Sequence, residues 1–270
     1  MNVSKLYGNG SESGGGNSDS SLPVQNMSAP LPGDIVSTPS TTYWSRFSER
    51  IVVSGSEYSQ NRYKYNFIEP AIKLLKASGG TWIISQTGYS QSDISKFTKV
   101  AKNLGVKLVL INSAQELYNY INSMSISNRW LSDIRKSCQI SSFTVFSHGL
   151  VGKVSLGYNQ GNKTASLEMT TDGISKNVIG EAFSAYQYST FYSCNTGTMR
   201  FPALSFAQVW ANIVGGTTKA AVNGTTWYGD INKGEGLLAK ADWKFNGFRQ
   251  NGCKNYPVPS SDVQWGYFYR

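Results

Sequence analysis

Histidine and cysteine are scarce in this 270-residue chain, which has one of the first and three of the second. The cysteines, Cys138, Cys194 and Cys253, are too few and too scattered for a disulfide framework. No Cys-x-x-Cys pair or His/Cys cluster occurs, which excludes the usual structural zinc sites. No apolar run approaches the roughly 20 residues needed to cross a bilayer, so no membrane span is expected. Residues 1–20 lack the basic start and apolar stretch of a secretion signal, so any export is expected to follow a non-classical route. Also missing are a Gly-x-Ser-x-Gly elbow, a phosphate-binding P-loop and a dinucleotide fingerprint. The carboxylates Glu168, Asp172 and Glu181 show no pairing suited to glycoside hydrolysis.

Acidic residues are the third shortage. Sixteen Asp and Glu stand against 25 Lys and Arg, a formal net charge of +9 that favours anionic partners. The basic residues are spread along the chain without a run or a Lys/Arg-rich helix, so a solvated surface is the simpler reading and nucleic acid is not the expected partner.

What is abundant is organised. Residues 1–40, built from Gly, Ser, Asn and Pro, cannot bury enough apolar area to offset chain entropy and read as a disordered leader. Beyond about residue 41 the chain alternates. "IEPAIKLLKAS" reads as a helix with Pro70 in its first turn, and "TWIISQ" (81–86) as a buried strand between glycines. "SQSDISKFTKVAKNLG" has helical spacing, with Ser92 a candidate cap and Gly105 the stop. "VKLVLI" (106–111), "SFTVFS" (142–147), "YSTFYS" (188–193) and "KAAV" (219–222) supply further strands. Between them lie helices in "NSAQELYNYINSM", "ISKNVIGEAFSAY" and "ALSFAQVWANIV", and a hairpin about Asn159–Asn162. This alternation predicts βαβ units, hence a three-layer α/β domain over 41–230 with a mostly parallel central sheet flanked by helices. Residues 231–270 read as an aromatic-rich extension packed on that domain.

In an open parallel sheet, reactive groups gather beyond the carboxyl ends of the strands. The one histidine falls there, in "FTVFSHGL" (143–150), and so does Cys194, in "STFYSCNTG" (189–197). If their strands are neighbours, the imidazole can take the thiol proton and return it to a leaving amine. Gly149, without a Cβ, can present its backbone N–H to a developing oxyanion alongside that of Cys194. Each residue also has an ordinary reading. A histidine at a strand end is often a satisfied polar group, a buried cysteine is usually packing, and Gly149 can simply shape a turn. Cys138 and Cys253 have no histidine at a matching position and read as structural.

A strand ending in His-Gly, followed some fifty residues later by a strand ending in a small residue and Cys, resembles the caspase-like cysteine peptidases. That group includes caspases, gingipains, legumain, CHAT proteases and the self-cleaving domains of large bacterial toxins. The resemblance covers about 81–230 and implies a caspase-like fold and a cysteine endopeptidase with a protein substrate, His148 and Cys194 as its dyad, Gly149 at the oxyanion and no cofactor. It implies a substrate-binding segment at "NGTTWYGDI", where Trp227 and Tyr228 would line the cleft and Asp230 would favour a basic side chain before the scissile bond. Tyr192-Ser193-Cys194-Asn195-Thr196-Gly197 departs from the Gln-Ala-Cys-Arg/Gln-Gly of caspases proper. The Gly/Ser-rich leader resembles the junction before modules of bacterial polymorphic toxins, implying an effector carried by a larger protein and secreted or delivered into a target cell; the alternative is a cytoplasmic enzyme. Two rivals remain open. One is a Cys/His deamidase or other acyl-transfer toxin, and the other a non-catalytic module of the same fold that holds a polyanion. An inositol phosphate or other polyanion acting as an activator would combine the peptidase with the polyanion-binding reading, as inositol hexakisphosphate does for some toxin self-cleaving domains.

Overall fold

The computed structural model describes residues 48–56, 65, 67–222 and 264–270. Within them the chain runs β1 (Glu49–Ser54), α1 (Ile68–Ser78), β2 (Thr81–Ser85), α2 (Gln91–Leu104), β3 (Lys107–Ile111), α3 (Ala114–Ser123), α4 (Asp133–Ser137) and β4 (Ile140–Phe146). An excursion follows, with β5 (His148–Leu150), β6 (Lys153–Ser155) and β7 (Glu168–Thr170). The chain then continues through α5 (Thr171–Asn177), β8 (Phe183–Tyr192), α6 (Phe206–Val214), β9 (Thr217–Ala221) and β10 (Trp265–Tyr269).

The central sheet has seven strands in the order β10-β9-β8-β4-β1-β2-β3. All neighbours are parallel except β10, which runs antiparallel to β9 along the edge. This is a three-layer α/β fold with a mostly parallel sheet. Chain order reverses between β1 and β4: β2 and β3 extend the sheet to one side and β8, β9 and β10 to the other. A crevice at the carboxyl ends is expected at such a reversal.

The layers follow from strand alternation. On β1, Val52 faces one way while Ile51 and Val53 face the other; on β2, Trp82 and Ile84 share the side of Val52, and Ile83 lies opposite. The Val52 side packs against α1 and α2 through Ile68, Ile72, Leu75, Ile94, Phe97 and Val100. The Ile51 side packs against α3, α5 and α6, where Phe143 stacks on Trp210 at 4.9 Å and Phe191 meets Trp210 and Phe206 edge-on. Fully burying such a side chain contributes about 1.5–3 kcal/mol, so these two stripes outweigh any single polar contact.

Local signals set the helix ends. Ser90 accepts from the N–H of Asp93 while the Asp93 carboxylate accepts from the N–H of Ser90, so α2 starts at Gln91 and Ser92, the expected cap, lies inside it. Gly105 ends the helix at φ 65°, a left-handed conformation that suits glycine. Ser113, Ser132, Thr170 and Ser205 cap α3, α4, α5 and α6 in the same way.

The helix expected through "ISKNVIGEAFSAY" is shorter and sits earlier. The Thr170 hydroxyl accepts from the N–H of Gly173 and starts α5 at Thr171, and the chain leaves the helix at Val178, whose φ and ψ are extended. A single 3-10 turn at Gly180–Ala182 leads into a ten-residue β8 that begins at Phe183. The expected hairpin is present as the antiparallel pair β6 and β7, although its connection carries two 3-10 turns and β5 adds a third strand. Residues 1–40 and Trp227, Tyr228, Asp230 and Cys253 lie outside the described residues. Trp265–Tyr269 forms the edge strand of the central sheet itself.

Candidate active site

The strands that carry the two motifs are neighbours. β4 and β8 pair in parallel from Ser142 opposite Tyr188 to Phe146 opposite Tyr192. Extending that register by one residue sets Ser147 opposite Ser193, and their hydroxyls hydrogen-bond at 2.9 Å with both residues buried. One residue further come His148 and Cys194. Phe146 and Tyr192 stack at 4.9 Å on the α1 side of the sheet, and His148 and Cys194 share their parity.

His148 is half-buried. Its ring meets Phe67, just before α1, edge-on at 5.0 Å and Tyr158, on the excursion, at 4.5 Å. These walls fix the imidazole plane from two sides. The excursion is tied to the end of β1: the N–H of Tyr158 donates to the Ser56 carbonyl at 3.0 Å and the N–H of Ser56 to the Leu156 carbonyl at 2.8 Å. Gly55 closes the crevice between β1 and β4, with its N–H donating to the Phe146 carbonyl at 2.8 Å. A Cβ on Gly55 would stand 2.8 Å from the Cβ of Ser147.

Cys194, also half-buried, opens a tight turn between β8 and α6. Asn195 takes φ 58°, a left-handed conformation that asparagine tolerates better than most residues. The Thr196 hydroxyl donates to the Ser193 carbonyl at 2.9 Å, the N–H of Gly197 to the Ala221 carbonyl at 2.8 Å, and the N–H of Ala207 to the Thr196 carbonyl at 3.0 Å. The cysteine backbone is therefore held to β9 and to the start of α6.

Gly149 fills the space between the two motifs. It is buried, and a Cβ there would overlap the Cys194 carbonyl oxygen and lie 2.9 Å from the Cys194 nitrogen. Only a glycine lets the backbone after His148 come this close to the backbone of Cys194.

Ser147, Ser193, Phe67 and Tyr158 were not singled out from sequence. The two serines stood inside the quoted motifs, and a paired register for the strands would have found them. Phe67 and Tyr158 reach the histidine only through tertiary contacts.

The opposite edge of the sheet is chemically different. There Glu49, at the start of β1, accepts from the hydroxyls of Thr81 at 2.5 Å and Tyr120 at 2.7 Å and pairs with Arg135 at 2.7 Å. Arg135, fully buried, also donates to the carbonyls of Cys138 at 2.9 Å and Tyr120 at 3.2 Å. Burial, with the Glu49 charge adding to it, pushes the Cys138 thiol above its ordinary value. Burial likewise pushes the Lys107 ammonium down, against the pull of Glu49.

Among the described residues, no group of His, Cys, Asp and Glu is placed to hold a metal ion, and no helix is long and apolar enough to cross a membrane. No protein-family model matches this chain, and no curated protein and no solved structure matches it either.

Proposed function

We propose that the protein is a cysteine endopeptidase of the caspase-like kind, with His148 and Cys194 as its dyad. The observation that carries this reading is the parallel register of β4 and β8, which brings the only histidine of the chain and Cys194 to adjacent strand ends at one edge of the sheet. In the reaction, His148 takes the Cys194 thiol proton and the thiolate attacks the scissile carbonyl carbon. The tetrahedral oxyanion forms beside the N–H groups of Gly149 and Cys194, whose backbones touch. As the C–N bond breaks, His148 gives the proton to the leaving amine, and a thioester remains on Cys194. Water, deprotonated by His148, then hydrolyses the thioester and restores the thiol. Of the two rings beside His148, Phe67 is buried and backs the imidazole, whereas Tyr158 is exposed and open to a substrate.

The test is cleavage of a peptide library by the full chain, with Cys194→Ala and His148→Ala as controls. Each variant should lose about a thousandfold or more in rate while keeping the wild-type melting curve. Retained cleavage in either variant refutes the dyad. Intact-mass analysis of a treated protein separates scission from a one-dalton deamidation, which would keep the same nucleophile and change the reaction class.

A further inference from the structure

We propose that the cavity between α3 and the loop leading to α4 is a binding site for a carboxylated saccharide. The cavity, open to solvent on one side, has a volume of about 490 Å³, enough for one or two pyranose rings. Its walls carry the amides of Gln115, Asn119, Asn128 and Asn177 together with Arg129 and Trp130. None of the residues beside His148 or Cys194 lines it.

The loop is rigidly built. Asn119 donates to the Ile126 carbonyl at 2.7 Å, Asn122 to the Arg129 carbonyl at 2.9 Å, and the Ser123 hydroxyl to the Asn128 carbonyl at 2.7 Å. All three of these side chains are themselves buried. The Ser132 hydroxyl donates to the Ser123 carbonyl at 3.1 Å and so holds the end of the loop. A loop ordered at this expense of side-chain freedom would be expected to tuck its tryptophan inward, yet Trp130 stays 66% exposed. An exposed indole on a pre-ordered loop is a stacking platform whose ordering cost was met on folding.

The remaining polar capacity indicates the ligand. The Arg129 guanidinium lies over the Trp130 ring at 4.5 Å and makes no hydrogen bond or ion pair among the described residues. It offers five N–H donors to an anion, with a geometry that suits a carboxylate. Gln115 and Asn177 use their amide N–H groups, to Asn119 and to the Gly173 carbonyl, and keep their carbonyl oxygens. Asn128 uses its carbonyl oxygen, for the N–H of Trp130, and keeps its amide N–H groups. The lining therefore offers both free donors and free acceptors, as a ring of hydroxyl groups requires. The carboxylate of an acidic pyranose fits Arg129, its hydroxyls the amides, and its apolar C–H face the part of the exposed Trp130 ring that the guanidinium leaves uncovered.

The test is saturation-transfer NMR on the full chain with free glucuronic acid, N-acetylneuraminic acid and glucose. The acidic sugars should show transfer and glucose much less. Arg129→Ala should weaken the acidic sugars by about tenfold, bringing them level with glucose, and Trp130→Ala should abolish transfer from all three. Both side chains are at the surface, so both variants should melt as the wild type does. Cys194→Ala should bind as the wild type does, which separates this site from the fate of the proposed dyad. A sialylated glycoprotein that binds only before sialidase treatment would assign the ligand to a glycoconjugate, and equal behaviour of free acid and glycoprotein would assign it to the sugar alone. Absence of transfer from every sugar and from the glycoprotein, or binding unchanged in both variants, overturns the proposal.

Discussion

Two cysteines stand at opposite strand ends of the same sheet, and the contrast between them is one of burial and surroundings. Cys138 precedes β4, buried against Glu49 and Arg135, where desolvation disfavours the thiolate. Cys194 follows β8, half-buried on a turn, with β4 alongside and His148 two residues beyond its end. At the Cys138 end the polar groups are locked together: Glu49 pairs with Arg135 and accepts from two hydroxyls, and Arg135 donates to two carbonyls, all of it buried. At the Cys194 end the contacts are backbone glycines, a serine pair and two aromatic walls. Burial is used on the first side to remove reactivity and on the second to position a group that still reaches solvent.

The largest effect that could break this contrast is a swap of reactivity. At neutral pH, a peptide electrophile or iodoacetamide should label Cys194 faster than Cys138 by about two orders of magnitude. Mass mapping of the labelled peptides checks it, and preferential labelling of Cys138 would remove the basis of the assignment. Next comes Arg135→Ala, which leaves the Glu49 charge buried without its partner and should cost about 3–5 kcal/mol in urea unfolding. Gly149→Ala should cost about 1–3 kcal/mol, because its Cβ has nowhere to go between the two strand ends, and should also slow cleavage. Ser193→Ala leaves the Ser147 hydroxyl only its longer bond to the His148 carbonyl, at 3.2 Å, and should cost about 1 kcal/mol; catalysis should suffer more than that if the serine pair sets the spacing of the dyad.

The smallest effect sharpens the picture of the structural edge. Burial raises the Cys138 thiol and the Tyr120 phenol, and Glu49 pushes both the same way. Because both folded values are raised, the stability they contribute is complete below the ordinary thiol and phenol ranges and is lost as pH climbs above them. Unfolding midpoints should therefore fall from about pH 8 upward, where the unfolded thiol begins to ionise, and Tyr120→Phe should flatten part of that fall at higher pH.

Much of the fold is legible in the sequence because amphipathic periods are local. The spacing of Ile94, Phe97, Val100 and Ala101 names α2 and its buried face, and Gly105 names its end. The runs at 81–86, 106–111 and 142–147 name strands, each within one or two residues of β2, β3 and β4. The central strand β1 escaped, since "ERIVVS" is short and begins with two charged residues. The buried Glu49 makes sense only once Arg135, 86 positions away, arrives beside it. The start of β8 escaped for the opposite reason: "FSAYQY" carries exposed and buried residues in no clean alternation, because the strand slips register between Ile140 and Ser142.

By itself, the sequence determined the alternation of strands and helices, the end of α2 at Gly105, and the placing of one imidazole and one thiol just past strand ends, because propensity and periodicity act over a few residues. Tertiary structure alone decided that β4 and β8 lie side by side, that Gly149 rests on the Cys194 backbone, and that Cys138 is sealed against a buried ion pair. Strand order and register are settled by which apolar faces can be buried together, and that is a property of the whole sheet.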